Sequence, residues 1–290
     1  MMKRIISGLI CFCILLLISG CNQNSSMDNI NIYTTAYPIE YVVNRLYKNH
    51  SSVKSIYPNG ANIYDYKVTD VLLSEYSNTD MFIFNGLSNE KNYIKPMLKE
   101  NKNLKIIDVS SDIKYKNGTE ELWLDPSNLL TIANNIKKGF HEYISAKYLK
   151  DEIDKNYNNL KIDLTNLEAK YRQTFKNASN VNIIVSDDIF LFLNKYGANV
   201  VSLDVDNEEY EKNLVIARSL INNNTVSYVY VKDDEENDII NSLTAETPVT
   251  ILKLNSLSTL TDEQRNNNYD YINLMNDNLE KLKKQLYDIK

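Results

Sequence analysis

Residues 148–176 read YLKDEIDKNYNNLKIDLTNLEAKYRQTFK, a run without proline or glycine. Apolar side chains recur in it at Leu149, Ile153, Tyr157, Leu160, Leu164, Leu167, Tyr171 and Phe175. Spacings of three and four held over this length predict one helix of roughly 40 Å, at about 1.5 Å per residue. Such a stripe suits either a dimeric coiled coil or a spine packed within its own chain. The flanking sequence favours the spine, because the same alternation of strands and helices stands on both sides of it.

On the N-terminal side, Ile30 to Thr35 alternates and is β-branched, and Pro38 opens a helix with Ile39, Val42, Val43, Leu46 and Tyr47 on one face. Further strands are expected at 53–57, 81–84 and 104–109, and helices at 69–76, 88–100 and from Pro126 onward. On the C-terminal side the strands are expected at 181–185, 199–203, 227–231 and 249–254. Helices are expected there at 187–196, 207–221, 233–245 and 269–290, with Gly197 ending the first of them. Strands alternating with helices predict the α/β class: two parallel-sheet α/β lobes joined by one long spine helix, with a ligand cleft between the lobes. A continuous helix is a stiff connection, so closure of the lobes should be small.

The first residues are of another kind. Lys3 and Arg4 precede an apolar run ending at Ile18, followed by small residues and Cys21. This is the pattern of a secretory signal, too short for a comfortable membrane span. Ile18-Ser19-Gly20-Cys21 resembles the lipobox of bacterial lipoproteins, which implies acylation of Cys21, with palmitate as one chain, and attachment to the outer face of the cell membrane. The expected organisation is then a signal peptide at 1–20, a lipidated tether at 21–29, an N-terminal lobe at 30–146, a linking helix at 147–178 and a C-terminal lobe at 179–290. Loss of Lys3 and Arg4 takes the formal charge from −6 to −8, and a mildly acidic surface argues against nucleic acid. Cys11 and Cys13 leave with the signal, so the remaining domain has no disulfide or thiolate chemistry.

In open α/β sheets, ligands bind beyond the carboxyl ends of the strands. Four loops leave such ends: 60–66, 119–125, 186–188 and 255–257. The second contains Glu121-Leu122-Trp123-Leu124-Asp125-Pro126, where the sole tryptophan stands two residues after an acid and Asp125-Pro126 reads as a helix start.

At these loops the chain resembles the zinc- and manganese-binding lipoproteins of ABC importers. The resemblance is carried in order by Tyr37-Pro38-Ile39, Met81 to Leu87 (MFIFNGL), Trp123 to Pro126, Lys195-Tyr196-Gly197, Ala245-Glu246-Thr247 and Tyr271 to Leu279 (YINLMNDNL). It implies a metal in the cleft, and it places this chain's Tyr64, Glu121, Ser186 and Asn255 at the family's four ligand positions. The residue types at all four have changed: Tyr64 and Glu121 stand where the family has histidine, and Ser186 where it has histidine or an acid. Asp65 and Asp187 are possible substitute ligands.

Zinc favours nitrogen and sulfur donors, and the only histidines are His50, at a helix end, and His141, within an amphipathic helix. Oxygen donors suit a hard divalent cation such as manganese, calcium or magnesium better than zinc. Three readings stay open. The cleft takes a cation through Glu121 with Asp187 or Asp65, completed by Tyr64 and Asn255. Alternatively it takes another small solute, with Tyr64, Tyr66 and Trp123 as stacking surface. Or the surface serves adhesion, binding a protein or host molecule. The resemblance implies an ABC permease and ATPase as partners, and the chain is expected to act as a monomer. No nucleophile-and-base pair or phosphate-cradling glycine loop points to an enzyme.

Overall fold

The computed structural model describes residues 27–113, 121–233 and 237–287. The signal peptide at 1–20, Cys21 and most of the tether lie outside the described residues, as do Thr119 and Glu120.

The N-terminal lobe is built on strands β1 (Ile30–Thr34), β2 (Ser51–Ser55), β3 (Met81–Phe84) and β4 (Lys105–Asp108). All pairings are parallel and the spatial order is β2-β1-β3-β4. Between them run α1 (Tyr37–Tyr47), α2 (Asp70–Ser77) and α3 (Lys91–Glu100), followed by a short helix α4 (Glu121–Leu124) and then α5 (Pro126–Tyr143). The spine is α6 (Lys147–Lys176). Beyond it come β5 (Asn182–Val185), β6 (Asn199–Ser202), β7 (Tyr228–Lys232) and β8 (Thr250–Leu254), again all parallel and in the order β6-β5-β7-β8. Helices α7 (Tyr210–Asn222), α8 (Asp238–Thr244), α9 (Asp262–Asn266) and α10 (Tyr271–Leu286) complete this half. The sequence therefore folds into the two lobes and the spine that its patterning predicts.

Period two decides which side chains face the middle of the molecule. Met81 and Ile83 of β3 turn inward, as do Ile183 and Val185 of β5, and both pairs join one core with the spine. Phe82 and Phe84 turn outward into a smaller cluster under α2 and α3, and Ile184 turns outward beneath α7 and α8. The spine buries Leu149, Ile153, Leu160, Leu164, Leu167, Tyr171 and Phe175. Its polar members on that face are satisfied from within: Asn156 Nδ2 donates to the Leu46 carbonyl at 3.0 Å, and the Tyr171 hydroxyl donates to the Met275 carbonyl at 2.8 Å. The stripe is spent inside its own chain, which removes the coiled-coil alternative.

Several helix boundaries differ from the expected ones, each for a local reason. Residues 188–196 form a 3-10 helix rather than an α-helix, with Asp187 accepting from the Ile189 N–H at its start and Gly197 at φ 93° ending it. The helix expected from residue 88 begins at Lys91, because the Ser88 amide is held in a turn by the Asn85 carbonyl. That expected from residue 207 begins at Tyr210, because Asn207 accepts from the Glu209 amide and donates to Asp188. The one expected from 233 begins at Asp238 behind an Asn237 cap. The final helix starts at Tyr271, where Asp270 and Asn273 form a capping box.

Candidate functional site

One loop of the C-terminal lobe makes a series of hydrogen bonds to the first lobe. Asn255 to Leu260 follows β8, and the Ser258 carbonyl accepts from the Tyr37 amide at 2.9 Å, at the start of α1. The Leu260 carbonyl accepts from the Gly60 amide at 2.9 Å, and the Thr259 hydroxyl donates to the Ala61 carbonyl at 3.0 Å. Trp123 is 2% exposed, and its indole N–H donates to the Ser256 carbonyl at 2.9 Å. The ring is sealed between the lobes and offers no stacking face to a solute, which corrects the part given to Trp123 in the small-solute reading.

The four expected ligand positions fare differently. Tyr64 lies on the loop after β2, 57% exposed, with its amide donating to Asn62. Asp65 beside it is exposed. Glu121 opens α4, directly before the buried Leu122 and Trp123, and its carboxylate lies outside the described atoms. Ser186 is buried just beyond β5, where its hydroxyl accepts from the main-chain N–H of Lys232 at 3.1 Å. Asn255 is buried and turned back on its own loop: its Oδ1 accepts from the Leu257 amide at 2.8 Å. Its main chain exchanges two hydrogen bonds with the Asn278 side chain, each 2.8 Å. The Asn255 side chain thereby holds a turn in which Leu257 adopts φ 60°.

Lys232 is the residue that sequence reading passed over. It ends β7, beside β5, where the order of the second sheet reverses, the kind of place at which open α/β sheets bind ligands. Despite its charge it is 2% exposed. Its Nζ stands 3.5 Å from Asp187 Oδ2, and 5.4 Å from the centre of the Tyr64 ring. Asp187 caps the 3-10 helix through Oδ1 and faces the ammonium through Oδ2. The run Lys232-Asp233-Asp234-Glu235-Glu236 reads as a solvated charge cluster. The available signal was that Lys232 closes the apolar strand Tyr228-Val229-Tyr230-Val231, at the level of Ser186.

On its other side Tyr64 borders a cavity of about 270 Å³ within the N-terminal lobe, shared with Tyr57, Tyr66, Tyr93 and Glu90. Glu90 is buried, which pushes its carboxyl above the ordinary range, and it accepts from the Tyr57 hydroxyl at 2.9 Å and the Asn85 amide at 3.2 Å. Both histidines are engaged away from the cleft. His50 lies between Asp28 and Glu152, and His141 is 3.3 Å from Asp154. Among the described residues no group of three or more histidine, cysteine, aspartate or glutamate side chains is gathered as a metal cluster.

The family model described as the periplasmic component A of the zinc-uptake complex matches residues 32–285. The zinc-binding lipoprotein AdcA of Streptococcus pneumoniae (strain ATCC BAA-255 / R6) is 23% identical over 97% of this chain and 61% of its own length. The chain thus spans about three-fifths of that relative. The high-affinity zinc uptake system protein ZnuA of Bacillus subtilis (strain 168) is 22% identical over 93% of this chain and 94% of its own. Among solved structures, the Zn(II)-bound ZnuA-like domain of Streptococcus pneumoniae AdcA superposes with a TM-score of 0.74. It covers 90% of this chain and 100% of that one at 22% identity, a likeness of fold.

Proposed function

The chain belongs to the family of periplasmic zinc-uptake components, and on that premise we propose that it is the extracytoplasmic solute-binding component of a metal-ion ABC importer, taking a divalent cation into the cleft between its lobes. The observation that carries this reading is the convergence of Tyr64 from one lobe with Ser186, Asp187 and Lys232 from the other, at the carboxyl end of the second sheet. The work done there is capture and delivery, not catalysis. A permease and an ATPase are its partners, Cys21 carries the lipid that holds it to the membrane face, and it acts as a monomer.

The relatives' names shift the cargo from manganese or another hard cation to zinc. The donors that this chain offers are oxygens: Glu121, Asp187, Tyr64, Ser186 and, with a change of its turn, Asn255. Such a set holds zinc less tightly than imidazole does. Calorimetry of residues 22–290 with zinc, manganese and calcium tests the reading. Zinc is expected to bind one to one, and Glu121→Ala to abolish it; silence toward every cation removes the cargo.

A further inference from the structure

A cation of the chain's own adjoins two of the positions at which the family resemblance implies metal ligands. Tyr64 and Ser186, two of the four ligand positions that the family resemblance implies, both touch Lys232: one presents its ring to the ammonium, the other accepts from the same residue's main-chain N–H. The carboxylate of Asp187, next to Ser186, stands 3.5 Å from Nζ. The Lys232 side chain is 3% exposed. An ammonium so far from water is retained only where negative charge and polarisable surface replace its hydration. A carboxylate and an aromatic face supply both. A divalent ion brought to Asp187 would meet this like charge, so the two cannot share the carboxylate.

We propose that Lys232 is a tethered competitor for the cargo. Its ammonium holds the cation position when no metal is bound and latches Tyr64 of the first lobe to Asp187 of the second. A divalent cation binds only by driving the ammonium off the carboxylate. The four-carbon stem allows that exchange without movement of β7, since the main-chain bond to Ser186 is independent of the side chain. The inference rests on the importer reading above and adds to it a built-in ceiling on affinity, which favours release.

Zinc calorimetry of the 22–290 chain in the wild type, Lys232→Met and Lys232→Arg tests this, together with residue-resolved acetylation of the metal-free wild type. Lys232→Met is expected to bind zinc at least tenfold more tightly, and Lys232→Arg to stay at or below the wild type. Lys232 should acetylate at least tenfold more slowly than the exposed Lys212, and faster once zinc is added. Should Lys232→Met melt before the assay temperature, Lys232→Gln carries the same expectation. A neutral variant that is folded and binds zinc no better than the wild type overturns competition while leaving the importer reading intact. If no form binds zinc, the importer reading falls and competition for the cargo falls with it; if zinc binds but Lys232 acetylates as fast as Lys212 in the metal-free protein, competition alone is overturned.

Discussion

The hydroxyl of Tyr271 donates to the main-chain carbonyl of Trp123 at 2.6 Å, across a sequence separation of 148 residues. Both side chains are buried, and Trp123 in turn donates to Ser256, so the tryptophan is hydrogen-bonded to the second lobe through its ring and through its backbone. Tyr271→Phe leaves a buried carbonyl unpaired and is expected to cost about 1–3 kcal/mol in urea unfolding. Trp123→Ala adds a cavity and should cost about 3–5 kcal/mol. Because Trp123 is the only tryptophan, its emission reports on this junction directly.

A second clasp gathers three segments around one ammonium. Lys195 Nζ donates to Asp125 Oδ1 at 2.6 Å, Ser127 Oγ at 2.9 Å and Glu168 Oε2 at 3.1 Å, joining the start of α5, the spine and the 3-10 helix. The Tyr196 hydroxyl donates to the same Glu168 carboxylate. Lys195→Met is expected to lower stability by about 1–3 kcal/mol, since it strips a partly buried carboxylate of its partner. Repeating the denaturation in high salt checks the electrostatic share: the difference should shrink but persist, as partly buried pairs are screened less than exposed ones.

Arg265 grips Glu40 with both terminal nitrogens, each at 2.8 Å, and its Nε donates to Asn59. Glu40 is buried on α1, so this fork pins α9 to the first lobe. Lysine carries the charge without the planar geometry. Arg265→Lys should therefore destabilise by about 1–2 kcal/mol in thermal or urea unfolding, and an effect within 0.5 kcal/mol of zero would show that the charge alone suffices.

The pH response is expected to centre on His50. Its hydrogen bond with Asp28, aided by Glu152, raises its pKa above the ordinary histidine value, against a smaller opposing effect of burial. A raised folded pKa gives stability that is fully present below about pH 6.5 and is lost as pH rises through the folded value. Asp28 is held below its usual range chiefly by the same hydrogen bond, so its contribution is lost only in acid. Urea midpoints of the wild type and His50→Gln should differ most near pH 5.5 and converge by pH 9; a constant difference would assign the effect to packing.

Much of this architecture was legible because it is written in short-range patterns. The spine follows from apolar spacings in residues 148–176, and the strand faces follow from alternation such as Met81-Phe82-Ile83-Phe84. Capping was readable too: Asp125 accepts from the Ser127 amide at the start of α5, as Asp125-Pro126 suggests. What escaped depends on residues brought together from afar. The burial of Lys232 needs Tyr64, 168 positions earlier in the chain, and Asp187. The Asn255 backbone is held by Asn278, and its side chain is turned back onto the Leu257 amide. The local sequence marks Lys232 only as the close of an apolar strand, and its burial is decided by residues distant in the chain.

The main core runs without a break from Ile32 through the spine to Leu279 and Leu286. The hydrogen bonds of greatest sequence separation among the described residues join Tyr37 to Ser258 and Glu40 to Arg265. Loop closure of that span carries an entropic penalty before any reward is gained, and the main core is complete only once Tyr271, Leu274, Leu279 and Leu286 of α10 have joined it. A polypeptide emerging from its N-terminus is therefore expected to stay pliable until its final turns appear, both halves then closing in one cooperative step. Calorimetry should show a single transition, and a fragment ending before α10 should remain unfolded.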